Sequence, residues 1–220
     1  MALFSYILFD LDGTVSDPKA GITGSVQYAL RALGIEEPDL DRLEPFIGPP
    51  LRDSFQEYYN LNEEQTEFAV KKYRERFCAK GIYENILYPG MKELLNRLKE
   101  SGCHLAVASS KLEVSVTEIL RYFAIGDCFE VTVGSEPDGT RSKKEEVVEE
   151  ALHRFFPDGK VPFDDIVMVG DRKFDIVGGK EYGLHQIGVT YGYAPEGELE
   201  EAGAEYLAHS VEELGRILLG

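Results

Sequence analysis

The chain contains no tryptophan and only three cysteines in 220 residues, Cys78, Cys103 and Cys128. None of the three is in CxxC spacing, and the one histidine neighbour, His104 after Cys103, makes no convincing catalytic pair, which argues against a thiol nucleophile. An odd count at wide spacing fits free thiols in a reducing cytosol. Basic residues are scarce: 23 Lys and Arg face 40 Asp and Glu, for a net charge of −17. That charge repels phosphate backbones and anionic lipid, so neither nucleic acid nor a membrane is an expected partner. Any anionic substrate must then meet a local cationic site. No apolar stretch approaches the roughly 18 residues of a membrane span. The N-terminus lacks a basic n-region and its apolar run stops at Asp10, so no signal peptide is expected. A cytoplasmic protein, monomeric or weakly dimeric, is the expectation. Internal repeats and low-complexity tracts are absent as well.

What is present is enough for a substantial core. Hydrophobic residues make up 43% of the chain, and 12 Tyr and 12 Phe replace the missing tryptophan. The length suits one large domain or two small ones. Short apolar runs recur: Tyr6–Phe9, His104–Ala108, Phe129–Val133, Ile166–Val169 and the weaker His185–Val189. Between them Met91, Leu94, Leu95 and Leu98 fall at helical spacing, as do Val147, Val148, Ala151 and Leu152. Strands alternating with helices predict βαβ units and a parallel sheet. Residues 16–86 break the rhythm and contain no convincing strand. Gly21–Leu33, Leu51–Tyr59 and Asn62–Lys80 read as helices, with Asn62 as an N-cap. The predicted fold is α/β: a Rossmann-like parallel core of residues 1–15 and 87–220, with a helical insertion at 16–86.

The chemistry concentrates where strands end. Asp10-Leu11-Asp12-Gly13-Thr14 follows the first strand directly. Two carboxylates so close at the end of a buried strand are costly unless a cation or a shared proton relieves them. Ser109, followed by Ser110 and Lys111, ends the second strand. Lys143 and Lys144 open a helix after the Asp138-Gly139 turn. Gly170-Asp171-Arg172-Lys173-Phe174-Asp175 follows the fourth strand. In a parallel sheet these ends share one edge, where ligands bind. A carboxylate can attack phosphorus and split one hard displacement into two. Phosphate monoester hydrolysis is so slow unaided that positioning and charge neutralisation must do most of the work. A hard cation such as Mg²⁺ needs only one or two carboxylates, plus waters and the substrate phosphate. Asp10 and Asp171 can supply them, a lysine can neutralise further charge, and a serine hydroxyl can donate to a phosphoryl oxygen.

Taken alone, Ser109 reads as a helix cap and the lysine pair as a solvated face. Their order along the chain, each after a strand, resembles the haloacid dehalogenase-like hydrolase superfamily over essentially the whole sequence. Within it the chain is most similar to the phosphoglycolate phosphatase-like and 5′-nucleotidase-like branch. The resemblance implies Asp10 as nucleophile and Asp12 as general acid and base. It implies Ser109 and Lys144 as phosphate-binding catalytic groups. It also implies Mg²⁺ held by Asp10, the Asp12 carbonyl and Asp171, with Asp175 supporting the metal shell. The insertion at 16–86 is similar to the family's helical cap. Lys144 is preferred to Lys143 because Ser142-Lys143-Lys144-Glu145-Glu146 matches the branch's pattern. Gly178-Gly179 stands where Gly-Ala is expected, which predicts a short or mobile segment there.

The expected reaction is hydrolysis of a small phosphorylated metabolite, either phosphoglycolate-like or a nucleoside monophosphate. A phosphomutase on the same scaffold, or a non-catalytic binding module, is the alternative. Asp12 argues against a dehalogenase, which needs no acid for its leaving group. A phospho-receiver module is shorter and lacks the helical insertion. Ser109, Ser110 and Lys144 are the expected phosphate contacts, and Lys19 and Arg52 the candidates for gripping an anionic leaving group.

Overall fold

The computed structural model describes residues 2–220. The chain divides into two compact units, Met1–Asp17 with Leu87–Gly220, and Pro18–Ile86.

The first unit is built on a six-stranded sheet. Its strands are β1 (Tyr6–Phe9), β4 (His104–Leu112), β5 (Val131–Ser135), β6 (Ile166–Gly170), β7 (His185–Val189) and β8 (Tyr206–Ala208). Their order is β5-β4-β1-β6-β7-β8, and every pairing is parallel. Tyr6 lies opposite both His104 and Ile166, so β1 is central. The chain runs outward on one side of β1, then returns to build the other side. Such a reversal places a crevice beyond the carboxyl ends of the strands, next to β1. Ile7, Leu8 and Phe9 are all fully buried, as a strand covered on both faces requires.

Helices cover this sheet: α4 (Met91–Glu100), α5 (Glu113–Tyr122), α6 (Lys144–Phe155), α7 (Lys173–Glu181) and α9 (Val211–Leu219), with the short α8 (Glu198–Ala202). Val147, Val148, Ala151 and Leu152 of α6 pack with Leu8, Ala106, Ala108, Val133 and Met168 of the strands. This packing fixes where α6 begins, and therefore where Lys144 sits.

The second unit is helical. It holds α1 (Lys19–Ala32), α2 (Leu51–Tyr59) and α3 (Glu63–Ala79), with 3₁₀ turns at Leu40–Phe46 and Gly81–Tyr83. Ile22, Val26 and Leu30 recur every fourth residue on α1 and are buried, as are Phe46, Phe55, Tyr73 and Phe77. Asn62 accepts from Gln65 N, and the Gln65 side chain accepts from Asn62 N, closing the start of α3.

Several boundaries differ from the sequence reading. Two two-residue strands, β2 (Ser16–Asp17) and β3 (Ile86–Leu87), pair as a ribbon where the chain passes between the units. Two residues are too few for a period-2 pattern to register. The same holds for β8, which sequence periodicity missed. Phe129 lies outside β5, because a 3₁₀ turn at Gly126–Cys128 delays the strand to Val131.

The helix α7 continues through Gly178-Gly179 and ends at Glu181, nine residues in all. The glycines answer a packing demand. A Cβ on Gly179 would lie 3.0 Å from Met168 Cβ, and one on Gly178 would lie 2.9 Å from Lys144 Cγ. Gly179→Val should therefore cost about 1–3 kcal/mol by overpacking against β6, despite valine's better helix propensity. Urea unfolding measures this, and a variant as stable as the wild type would show that α7 has room to spare.

Candidate active site

Asp10 follows β1 and its N–H still bonds to Val169 O at 2.9 Å, which ties it to β6. The chain then turns at once. Gly13 takes a φ of 85° and its N–H reaches Ser16 O at 2.8 Å. That left-handed backbone favours glycine, and the space demands it: a Cβ there would lie 2.1 Å from Asp171 Oδ2. Asp171 follows β6, and Asp175 lies in the first turn of α7. One oxygen from each of Asp10, Asp171 and Asp175 lies within 4.8 Å of the others, and all three residues are buried.

Lys144, the first residue of α6, enters this cluster. Its Nζ lies 2.7 Å from Asp10 Oδ1 and 2.7 Å from Asp175 Oδ1, and donates to Ala108 O at 3.0 Å. Burial alone would push this ammonium down, but Asp10 and Asp175 reverse that and hold it above its ordinary value. Lys143, one residue earlier, is exposed. The geometry thus separates two adjacent lysines that sequence alone left open.

The acids respond in turn. Burial pushes Asp175 up to about 6, with Lys144 opposing the rise. Asp171 is held well above the usual carboxylate range, first by burial and then by the charges of Asp175 and Asp10. Its Oδ2 accepts from Tyr193 N at 2.8 Å, and Thr14 Oγ1 lies 3.5 Å from Oδ1. Asp175 Oδ2 accepts from Arg172 N at 3.0 Å, which locks it into the first turn of α7. The Arg172 guanidinium is directed to Glu198, with Nε 2.8 Å from Oε1.

Asp12 is turned elsewhere. Its Oδ2 pairs with Lys111, while its Oδ1 is buried without a hydrogen-bond partner among the described residues. Burial raises Asp12, and Lys111 works against that rise. The Asp12 side chain is not one of the three clustered carboxylates, although the charges of Asp10 and Lys144 reach it; the resemblance gives its carbonyl the metal role.

Ser109 is buried, and its Oγ accepts from Lys111 N at 3.4 Å. Ser110, beside it, is half-buried. Lys19 and Arg52 lie in the helical unit, each already facing two acids. Lys19 pairs with Asp41 and Glu44, and Arg52 with Glu63 and Glu67. Neither is a cation without a counterion.

Three contributors escaped sequence reasoning. Lys111 was visible only as a residue after Ser109, because its partnership with Asp12 spans 99 positions. Tyr193 acts through a backbone N–H, which no side-chain pattern signals. Gly192 closes on Asp171 so tightly that its Cβ would lie 2.4 Å from Asp171 Cβ. Its place after the fifth strand was the one available hint.

The donor set suits a hard divalent cation. It consists of carboxylate oxygens, with no sulfur or imidazole. Three carboxylates share one ammonium here, so the ionised cluster carries two negative charges in excess. A divalent cation would cancel that excess.

The family model for haloacid dehalogenase-like hydrolases matches residues 7–189. The chain belongs to this family. A protein of Pseudomonas aeruginosa named 5′-nucleotidase is 48% identical, over 88% of this chain and 86% of its own length. The crystal structure of a predicted phosphatase from Clostridium acetobutylicum superposes with a TM-score of 0.93, at 44% identity and 99% coverage of both chains. A Mycobacterium tuberculosis protein named tyrosine-protein kinase PtkA is 35% identical over 93% of this chain and 68% of its own. The expected class, a phosphoric monoester hydrolase of the haloacid dehalogenase-like family, is the class that the nucleotidase and phosphatase names carry.

Two outcomes follow from the charges. Lys144→Ala strands two buried carboxylates and should cost about 3–5 kcal/mol, whereas Lys143→Ala should stay within about 0.5 kcal/mol. Comparable losses in urea unfolding would show that Lys144 is not the cluster's counterion. The second outcome concerns pH. Above about pH 4 the unfolded chain releases protons that Asp175 keeps until about pH 6 and that Asp171 also retains. The native state then binds more protons, so these acids lower stability as pH rises. In Asp171→Asn, Nδ2 can donate to Thr14 Oγ1 while Oδ1 still accepts from Tyr193 N. With EDTA present this variant should gain on the wild type steadily as pH rises above the ordinary carboxylate range. A pH-independent difference in unfolding midpoint would overturn the account.

Proposed function

We propose that this haloacid dehalogenase-like chain is a Mg²⁺-dependent phosphatase that hydrolyses a small phosphate monoester through a phosphorylated Asp10. The observation that supports it most is Lys144 Nζ at 2.7 Å from both Asp10 Oδ1 and Asp175 Oδ1, beside a third buried acid. A buried nucleophile, a counter-cation and a metal-ready oxygen cluster meet there at one sheet edge.

In this reading a carboxylate oxygen of Asp10 bonds to phosphorus as the ester P–O bond breaks. The electron pair of that bond stays on the leaving oxygen, which takes a proton from Asp12. A water then attacks the same phosphorus and gives a proton to Asp12. The bond to Asp10 breaks, and inorganic phosphate leaves. Lys144 neutralises charge beside the nucleophile, and the Ser109 hydroxyl donates to a phosphoryl oxygen. When bound, Mg²⁺ held by Asp10, the Asp12 carbonyl and Asp171, with Asp175 behind them, supplies charge neutralisation at the phosphoryl oxygens.

The helical unit takes the family cap's role of choosing the leaving group. A nucleoside monophosphate is the first substrate to test, because a relative at 48% identity is named 5′-nucleotidase. Phosphoglycolate and sugar phosphates complete the screen. A mutase would keep the phosphoryl group on substrate, so release of inorganic phosphate separates the two readings. A binding module would turn over nothing.

Asp10→Asn cannot attack and should lower phosphate release by more than about a thousandfold, with the fold intact. EDTA should abolish wild-type activity and Mg²⁺ should restore it. Substantial turnover by a folded Asp10→Asn variant, or by stringently metal-free enzyme, would refute the proposal.

A further inference from the structure

Strand β4 does not stop where its apolar run stops. Val107 lies opposite Phe9, the last residue of β1, yet β4 continues to Leu112. Between Ala108 and Leu112 the register against β5 shifts. Such an irregularity re-aims side chains near the end of a strand. Ser109 Oγ accepts from Lys111 N inside it, which tightens the segment. The Lys111 side chain is then carried to Asp12, and only 9% of it is exposed.

The two oxygens of Asp12 are thereby made unequal. Oδ2 is engaged by Lys111, and Oδ1 is buried without a partner among the described residues. A buried oxygen left without a hydrogen bond is costly. The arrangement becomes economical when a reacting group supplies the missing partner. Asp10, two residues away, is meanwhile held by a different lysine.

We propose that Lys111 is a positioning residue for the reaction, clamping Asp12 Oδ2 so that Oδ1 alone exchanges the proton with the leaving-group oxygen and the attacking water. This rests on the reading of Asp12 as general acid and base. In the first step the Oδ1 proton passes to the leaving oxygen as the ester P–O bond breaks. In the second, Oδ1 receives a proton from the attacking water. Lys111 keeps its own protons throughout. Its role is to fix the carboxyl's orientation, and catalytic geometry of this kind fails with displacements near 1 Å.

The test is single-turnover cleavage of p-nitrophenyl phosphate and n-butyl phosphate in saturating Mg²⁺. The enzymes are wild type, Lys111→Met, Lys111→Gln, Lys111→Arg and Asp12→Asn, each checked for folding by thermal unfolding. Nitrophenolate leaves without a proton, and butoxide does not. Lys111→Met should slow butyl phosphate cleavage roughly 10–100-fold and nitrophenyl phosphate cleavage less than about threefold, with saturation constants within about threefold of wild type. Lys111→Arg should recover most of the butyl phosphate rate. If Lys111→Met fails to fold, Lys111→Gln carries the same comparison. Equal losses for both leaving groups, or a weakened saturation constant at unchanged maximal rate, would overturn the proposal. A leaving-group bias in Asp12→Asn without one in the Lys111 variants overturns the lysine's role alone. Its absence in Asp12→Asn removes the acid–base reading itself.

Discussion

One ammonium buried between two carboxylates governs this sheet edge. Lys144 reaches Asp10 and Asp175 at 2.7 Å each and spends its third donor on Ala108 O. Without it, acids delivered by β1 and α7 would repel one another in a place that water cannot screen. The lysine is placed by distant packing: Val147, Val148, Ala151 and Leu152 seat α6 on the strands. The absence of a side chain at Gly178 makes room for the lysine's stem. Core packing and site chemistry are thus one constraint met by the same helix.

The same economy separates Asp10 from Asp12. They are two residues apart, and a shared environment would give them similar properties. The turn at Gly13 and the extension of β4 hand them to different cations, Lys144 and Lys111. Environment, more than residue type, sets what a carboxylate can do. The pairs also answer the puzzle of a chain with net charge −17. Positive charge is concentrated where the chain brings its acids together.

The sequence made the strand ends legible because buried parallel strands are continuous apolar runs. Asp10, Ser109, Lys144, Asp171 and Asp175 could be placed on one edge once those runs were identified. Three things stayed hidden, each for a physical reason. Contacts across 99 positions, such as Lys111 with Asp12, leave no local pattern. A backbone donor such as Tyr193 N has no side-chain signature. Glycines at 178 and 179 read as a weak helix until their neighbours are known, and Gly192 carried no pattern at all. Lys19 and Arg52 illustrate the same limit: their acidic partners in space were not legible in the sequence.

Asp171 is enclosed by glycines. Cβ atoms at positions 13 and 192 would fall 2.1 Å from its Oδ2 and 2.4 Å from its own Cβ. This pocket holds the aspartate in place from two sides, and a side chain at either glycine would displace it. Positions 13 and 192 therefore cannot enlarge while Asp171 stays as it is. A lineage or a designer exploring this scaffold inherits the reach of that acid as a fixed dimension, and variety in what the enzyme accepts has to arise elsewhere in the chain.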